Sequence, residues 1–238
     1  MEPNIQNEVV FDKKSDQAEA VLETKTEPTD PIPPKTSRKQ QKSKTQYMVT
    51  LALLVALTVV LQFVGAMIPA LGSTSWSFVL IPIVIGGLVL GVRAGGVLGL
   101  AFGIVTVIRG LLGMDALTTH LMFYDNSAIN MVLTIVLCIV KAVAAGVIPP
   151  LVHRSLKRVL PRGSVWITAA LAPIVNTGIF MLGMVFLLTP LAALVGDAVY
   201  FLFFTILVCN FLPELAINLV ASPAIYRVTT IVANKRRK

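Results

Sequence analysis

Residues 48–68 read MVTLALLVALTVVLQFVGAMI, an apolar run without a charged side chain. A helix rises about 1.5 Å per residue, so about 20 apolar residues cross the hydrocarbon core of a bilayer. Similar runs follow along the chain. The sequence predicts six membrane spans, at about 48–68, 77–91, 94–112, 127–150, 165–189 and 198–226. We therefore expect an all-α integral membrane protein with six transmembrane helices.

The composition of the 238-residue chain agrees with this fold class. Hydrophobic residues make up 55% and charged residues 13%, too little polar surface to cover a water-soluble core of this size. A net charge of +8 would suggest nucleic acid in a soluble protein. Here the basic residues lie beside apolar runs, where they act as topology signals, so we expect no nucleic-acid partner. Both cysteines, Cys138 and Cys209, lie inside apolar runs, which predicts no disulfide framework.

The charge pattern divides the chain into three parts. Residues 1–46 are rich in Glu, Lys, Thr, Ser and Pro and poor in large apolar residues, which predicts a disordered cytoplasmic tail. Residues 47–230 are expected to form the membrane domain, and 231–238 a basic cytoplasmic C-terminus.

The loops indicate an orientation, because Lys and Arg are enriched in cytoplasmic loops. The predicted inner segments carry Arg93, Arg154, Lys157, Arg158, Arg162 and Arg227, whereas the outer segments carry Asp115, Asp125 and Asp197. We therefore expect both termini in the cytoplasm of a multi-pass cell-membrane protein.

The third span carries a glycine every four residues, at Gly91, Gly95, Gly99 and Gly103. This spacing places the four glycines on one helix face, where a neighbouring helix can approach closely.

Polar residues inside the spans are few and costly to bury, so they are candidate functional groups. Arg109 lies near the predicted outer surface, with Gln62, Asn130 and Trp76 at comparable depth. An arginine at this position either snorkels to the interface or clamps a carboxylate or phosphate of a ligand entering from outside. Both interpretations stay open from the sequence. Aromatic residues that could line such a site are Phe78, Phe123, Tyr124 and Tyr200.

Deeper polar residues occur in the fourth, fifth and sixth spans. Lys141 and Glu214 fall at similar predicted depth, so they could form a buried, structural ion pair. Asn210, Glu214 and Asn218 repeat every four residues and are expected to share one inward face. Asn176 and Thr177 lie midway along the fifth span.

No enzyme motif is present. The sequence has no phosphate-binding glycine loop, no His-Glu-x-x-His helix and no Gly-x-Ser-x-Gly elbow. His120 has no second ligand at metal spacing, so we expect neither a metal nor a cofactor. Active transport would therefore draw on an ion gradient or on a partner ATPase.

The membrane part resembles the substrate-binding S components of energy-coupling factor (ECF) vitamin transporters. The resemblance rests on the six spans, Ala52 and Ala56 four residues apart in the first span, LIPIVIG at 80–86, the glycine-rich third span and APIVNTG at 172–178. It implies a high-affinity vitamin site near the extracellular side, covered by the loop at about 69–77. It also implies a transmembrane coupling subunit, docked on Ala52 and Ala56, and two cytoplasmic ATPase subunits.

Within this family the residues favour a small anionic vitamin. Arg109 suits the acid group of such a ligand, and pantothenate fits best, with riboflavin and folate as alternatives. The substrate-binding residues we expect are Gln62, Trp76, Arg109, Asn130, Asn176 and Asn210. A self-sufficient ion-coupled secondary transporter, with Glu214 as the coupling carboxylate, is the alternative from another class. It is weakened because the two three-helix halves show no convincing internal repeat.

Overall fold

The computed structural model describes residues 35–67, 78–123, 127–161, 163–192 and 204–237, and these contain helices and no β-strand. The helices are α1 (Lys35–Met67), α2 (Leu80–Leu90), α3 (Val92–Leu111), α4 (Ala116–Phe123), α5 (Ala128–Leu156), α6 (Gly163–Ala192) and α7 (Leu212–Arg237). A π-helical segment, Thr205–Phe211, leads directly into α7. The prediction of an all-α protein is confirmed.

Five helical stretches are long and apolar enough to cross a membrane. They are Lys44–Gly65, Val92–Leu111, Ala128–Leu156, Gly163–Met184 and Ile206–Val232. The remaining predicted span, 77–91, contains the shorter apolar helix α2, which has 11 residues. Its length of about 16 Å is less than the roughly 30 Å hydrocarbon core. The side chains of α2 lie largely inside the protein, which shields the short helix from lipid.

Gly91 separates α2 from α3 and has a φ angle of +104°. L side chains rarely adopt this conformation, which explains a glycine at the break. No described atom lies within 4 Å of a Cβ built there. The sequence predicted that Gly91 lies with Gly95, Gly99 and Gly103 in one stripe of glycines on a helix face. For Gly91 this prediction was wrong, because the residue lies between the end of α2 and the start of α3.

The other three glycines of the stripe do pack α3 against α5. A Cβ on Gly95 would overlap the Gly146 carbonyl oxygen, and one on Gly99 would overlap the Ala142 carbonyl oxygen. A Cβ on Gly103 would lie 3.1 Å from Cα of Ile139. Successively later residues of α3 contact successively earlier residues of α5, so the two helices are antiparallel. The predicted close approach is confirmed at these three positions.

Two apolar clusters hold the described helices together. The first surrounds α2 and includes Leu54 of α1, Leu98 of α3, Ala145 of α5 and Ile225 of α7. The second joins α4, α5, α6 and the π-helical segment, and its buried members are Leu117, Leu121, Leu137, Phe180, Met184 and Ile206. We call this second group the α4 cluster.

Residues Tyr47–Lys238 form one compact unit. Helix α1 begins at Lys35, inside the segment 1–46 for which we predicted a disordered tail, and residues 1–34 lie outside the described part of the chain. Helix α7 continues to Arg237. The domain boundaries and the cytoplasmic location of both termini stay predictions.

Candidate functional site

Arg109 lies in the last turn of α3 and is only 6% exposed. A snorkelling arginine keeps its charged head in contact with water. The observed burial instead places the guanidinium inside the protein. A buried cation in a lipid-embedded protein is costly and is a functional candidate by default.

Gln62 of α1 reaches across to α3. Its Nε2 donates to the Phe102 carbonyl oxygen at 2.8 Å and lies 3.4 Å from Oγ1 of Thr106. Only the NH₂ group of the amide can donate to a carbonyl, so this bond fixes the orientation of the side chain. Oε1 of Gln62 is buried and has no hydrogen-bond partner among the described residues. The side chain therefore presents an acceptor one turn from Arg109 along α3.

Helix α4 was not foreseen, because the sequence predicted a solvated outer loop between the third and fourth spans. Its Leu117, Thr118 and Met122 are buried, whereas His120 is exposed, as the sequence predicted for it. The Thr118 hydroxyl donates to the Asp115 carboxylate at 3.0 Å. Asp115, which the sequence places in an outer segment, thus caps α4. Asp125 lies outside the described residues.

Contacts of α4 connect the end of α3 to the middle of α5. A Cβ on Gly110 would lie 2.7 Å from Cγ2 of Thr118. Thr118 also lies near the buried thiol of Cys138 on α5. Thr118 therefore packs against the residue after Arg109, on the side of α4 that faces α5.

Lys141 does not pair with Glu214, so the predicted buried ion pair was wrong. Its Nζ lies 3.8 Å from the centroid of the Phe180 ring on α6, a cation–π contact. Lys141 is 9% exposed. Matching depth along two helices was insufficient evidence for the pair, because depth does not determine which way each helix face points.

Asn176 and Thr177 of α6 are both buried. Oδ1 of Asn176 and Oγ1 of Thr177 have no hydrogen-bond partner among the described residues. Asn176 precedes Phe180 by one helical turn, so the two share a face of α6. Asn130 is half-buried near the start of α5, where its carbonyl oxygen accepts a bond from Thr134 at 2.7 Å.

Glu214 and Asn218 of α7 are buried, which confirms their inward face. Nδ2 of Asn218 donates to the Glu214 carbonyl oxygen at 2.9 Å, and the Ser222 hydroxyl donates to that of Asn218 at 3.0 Å. Ser222 extends the four-residue period and was missed, although the spacing was visible in the sequence. Asn210 is half-buried in the π-helical segment, a feature often found at functional sites.

Several predicted site residues lie outside the described part of the chain. These are Trp76 with the loop 69–77, Tyr124 and Tyr200. Phe78 is half-buried and Phe123 is exposed. Within the described residues, no group of three or more His, Cys, Asp or Glu is placed to hold a metal ion.

One face of α1 is open. Ala52 and Ala56 are exposed together with large apolar neighbours such as Leu53 and Val60, whereas Leu54 and Gln62 on the opposite face are buried. Helix α1 therefore has a bundle-facing side and an apolar side that no described residue covers.

A model of the family described as "ECF transporter, substrate-specific component" matches residues 46–226. The chain belongs to this family. Neither the comparison with curated proteins nor that with solved structures gave a match. The resemblance to S components is thus confirmed over the membrane part. Members of this family are substrate-binding subunits that associate with an ECF module of transmembrane and ATPase subunits, and they are not a known enzyme family.

Proposed function

We propose that this S component captures a small anionic vitamin or precursor, with pantothenate as the best candidate, at the extracellular side of the cell membrane. The buried guanidinium of Arg109 is the observation that carries the proposal. A guanidinium can donate two parallel hydrogen bonds to a carboxylate, and such charge-assisted bonds are the strong ones. An acid group on the ligand is therefore the group that Arg109 is best suited to bind.

Two buried amides suit the rest of such a ligand. Oε1 of Gln62 and Oδ1 of Asn176 are buried acceptors without a partner among the described residues. Hydroxyl and amide N–H groups of a small carboxylate-bearing polyol would satisfy them. Pantothenate carries all three kinds of group. Riboflavin and folate need more stacking surface, and the sequence places few aromatic residues near the predicted outer surface.

Delivery into the cell is proposed to require a coupling subunit and two ATPases. The open face of α1 supports this, because the small side chains of Ala52 and Ala56 leave a flat surface on which another helix can pack. The large apolar residues beside them would be buried by the same partner.

A binding panel with purified full-length protein tests the proposal. Pantothenate, biotin, nicotinate, folate, riboflavin and thiamine are titrated separately by calorimetry. We expect pantothenate to bind most tightly. Arg109→Gln should weaken its binding by about 10- to 150-fold, the equivalent of a lost charged hydrogen bond.

Arg93→Gln is the matched control, since Arg93 lies on the same helix and is exposed. It should leave the affinity unchanged. Selective binding of thiamine or riboflavin, or an unchanged affinity in Arg109→Gln, would contradict the proposal.

A further inference from the structure

We propose that Thr177 and Lys141 bind the substrate together with Asn176, and that these three side chains recognise an amide group of the ligand. We call them, with Phe180, the α6 subsite. The inference rests on the proposed function and extends it. The sequence indicated Lys141 only as half of a structural ion pair, and it assigned no role to Thr177.

The hydroxyl of Thr177 differs from other buried hydroxyls of the described helices. A buried serine or threonine in a helix can donate to the carbonyl oxygen four residues earlier. Five residues do so, with donor–acceptor distances of 2.6–3.0 Å: Thr58, Thr106, Thr134, Thr168 and Ser222. Thr177 is 3% exposed, and its Oγ1 has no hydrogen-bond partner among the described residues. This hydroxyl can therefore bond to a ligand.

The preceding residue presents a second such atom. Asn176 is 6% exposed, and its Oδ1 also has no hydrogen-bond partner among the described residues. A buried polar atom that makes no hydrogen bond costs about 1–3 kcal/mol. Two of them at consecutive positions in the middle of a helix indicate a place where a polar group of another molecule binds.

Phe180 connects these two residues to Lys141. A residue advances about 100° around an α-helix, so Phe180 lies between Asn176 and Thr177 in angle, about 40° from the first and about 60° from the second. Its side chain tilts toward the N-terminus of α6, which is the side of these two residues. Nζ of Lys141 lies 3.8 Å from the centroid of the Phe180 ring. The cation of α5 therefore lies at the same ring that stands above the two polar residues of α6.

The packing of α5 against α6 supports this placement. A Cβ on Gly183 would overlap Cδ1 of Leu137, so the two helices touch one turn away from the contact between Lys141 and Phe180. Lys141 is 9% exposed, so its ammonium group lies inside the protein. An aromatic face attracts a cation but does not accept the N–H bonds of an ammonium group. Lys141 can therefore still donate to an acceptor of the ligand.

The three polar groups complement an amide. The ammonium of Lys141 only donates, Oδ1 of Asn176 only accepts, and the hydroxyl of Thr177 does both. A ligand amide offers its carbonyl oxygen to Lys141 and Thr177 and its N–H to Asn176. A carboxylate would satisfy Lys141 but has no donor for Asn176. The α6 subsite therefore selects a ligand that carries an amide in addition to the acid group proposed for Arg109, as pantothenate does.

The first test changes the ligand. Pantothenate and its ester analogue, in which an oxygen replaces the amide N–H, are titrated separately into the full-length protein by calorimetry. The ester should bind the wild type about three- to tenfold more weakly, the equivalent of one hydrogen bond. In Asn176→Leu, which lacks the acceptor, the two ligands should bind with affinities that agree within about twofold.

The second test changes the protein. Thr177→Val keeps the side-chain shape and should weaken pantothenate binding by about three- to tenfold. The Tm of the ligand-free variant should be unchanged or higher, because the lost hydroxyl is buried without a bond. Lys141→Met removes a charged donor and should weaken binding by at least about tenfold.

Thr168→Val is the matched control for Thr177→Val. Thr168 is also a buried threonine of α6, but its hydroxyl donates to the Ser164 carbonyl oxygen at 2.6 Å. Its replacement should leave the affinity for pantothenate unchanged.

Each outcome supports or overturns the α6 subsite. If Arg109→Gln weakens pantothenate binding but Thr177→Val and Lys141→Met do not, the α6 subsite fails and the proposed function stands. Equal affinity of the wild type for pantothenate and its ester also overturns it. A lowered Tm of ligand-free Thr177→Val would show a structural role for the hydroxyl and overturn it too. If the wild type does not bind pantothenate, both proposals fail.

Discussion

Replacing Gly95 by alanine should destabilise the protein through the contact between α3 and α5. The added methyl group would overlap the carbonyl oxygen of Gly146 and lie 3.2 Å from Cα of Gly87. Both neighbours are backbone, so neither can rotate away. To restore van der Waals contact, the helices must separate by on the order of 1 Å.

Overpacking of this kind costs about 1–3 kcal/mol. A chain of this size loses about 2–4 °C of Tm per kcal/mol, so the Tm should fall by about 2–12 °C. Thermal unfolding in detergent, followed by tryptophan fluorescence, measures the shift. The same contact positions α3, which carries Arg109, against α5, so affinity for the acid ligand should fall as well.

Gly178→Ala is the matched control. Gly178 lies inside α6, and no described atom lies within 4 Å of a Cβ built there. Because alanine favours a helix by up to about 1 kcal/mol over glycine, this variant should be as stable as the wild type or more so. The reasoning is refuted if Gly95→Ala keeps the wild-type Tm, or if both variants lose the same amount.

Three further perturbations test other parts of the account. Ala52→Trp or Ala56→Trp should abolish co-purification with the coupling subunit and leave vitamin affinity unchanged. The control Val97→Trp, at an exposed position of α3, should change neither co-purification nor affinity. Normal co-purification of Ala52→Trp and Ala56→Trp would contradict the docking surface. Gln62→Leu removes a buried acceptor and should weaken ligand binding by about tenfold in calorimetry; an unchanged affinity would exclude it from the site. Thr118→Val keeps the side-chain shape but loses the hydroxyl's hydrogen bond to Asp115, a loss of about 1 kcal/mol, so the Tm should fall by about 2–4 °C. An unchanged Tm would show that α4 does not depend on this bond.

Much of the fold followed from the sequence because lipid imposes simple constraints. Apolar length predicted the spans, and the four-residue glycine spacing predicted the tight approach of α3 and α5. The predicted ends of the spans were less accurate. The fourth span was predicted to end at 150, at two consecutive prolines, yet α5 continues to Leu156. Pro150 packs against Gly87 inside the bundle, so packing there favours continuing the helix.

The candidate site was less predictable than the fold, and the reasons are physical. Helix α4 has only 8 residues, too few for an apolar run that could cross a membrane, so the sequence predicted a loop there. The partner of Lys141 depends on helix rotation, which apolar length does not determine. The burial of Gln62, Asn176 and Glu214 followed from the cost of exposing polar groups to lipid, whereas the sequence left open whether Arg109 is buried or snorkels to the interface. Their hydrogen-bond geometry required the three-dimensional packing.

Uptake into proteoliposomes tests most directly whether this chain is a receptor that borrows its driving force. Vesicles that contain the purified chain alone, under a proton or sodium gradient, should bind radiolabelled pantothenate at their surface without accumulating it. Vesicles that also contain the coupling subunit and both ATPases, with ATP on the cytoplasmic side, should accumulate it. Gradient-driven accumulation by the chain alone would contradict the account and favour an ion-coupled secondary transporter.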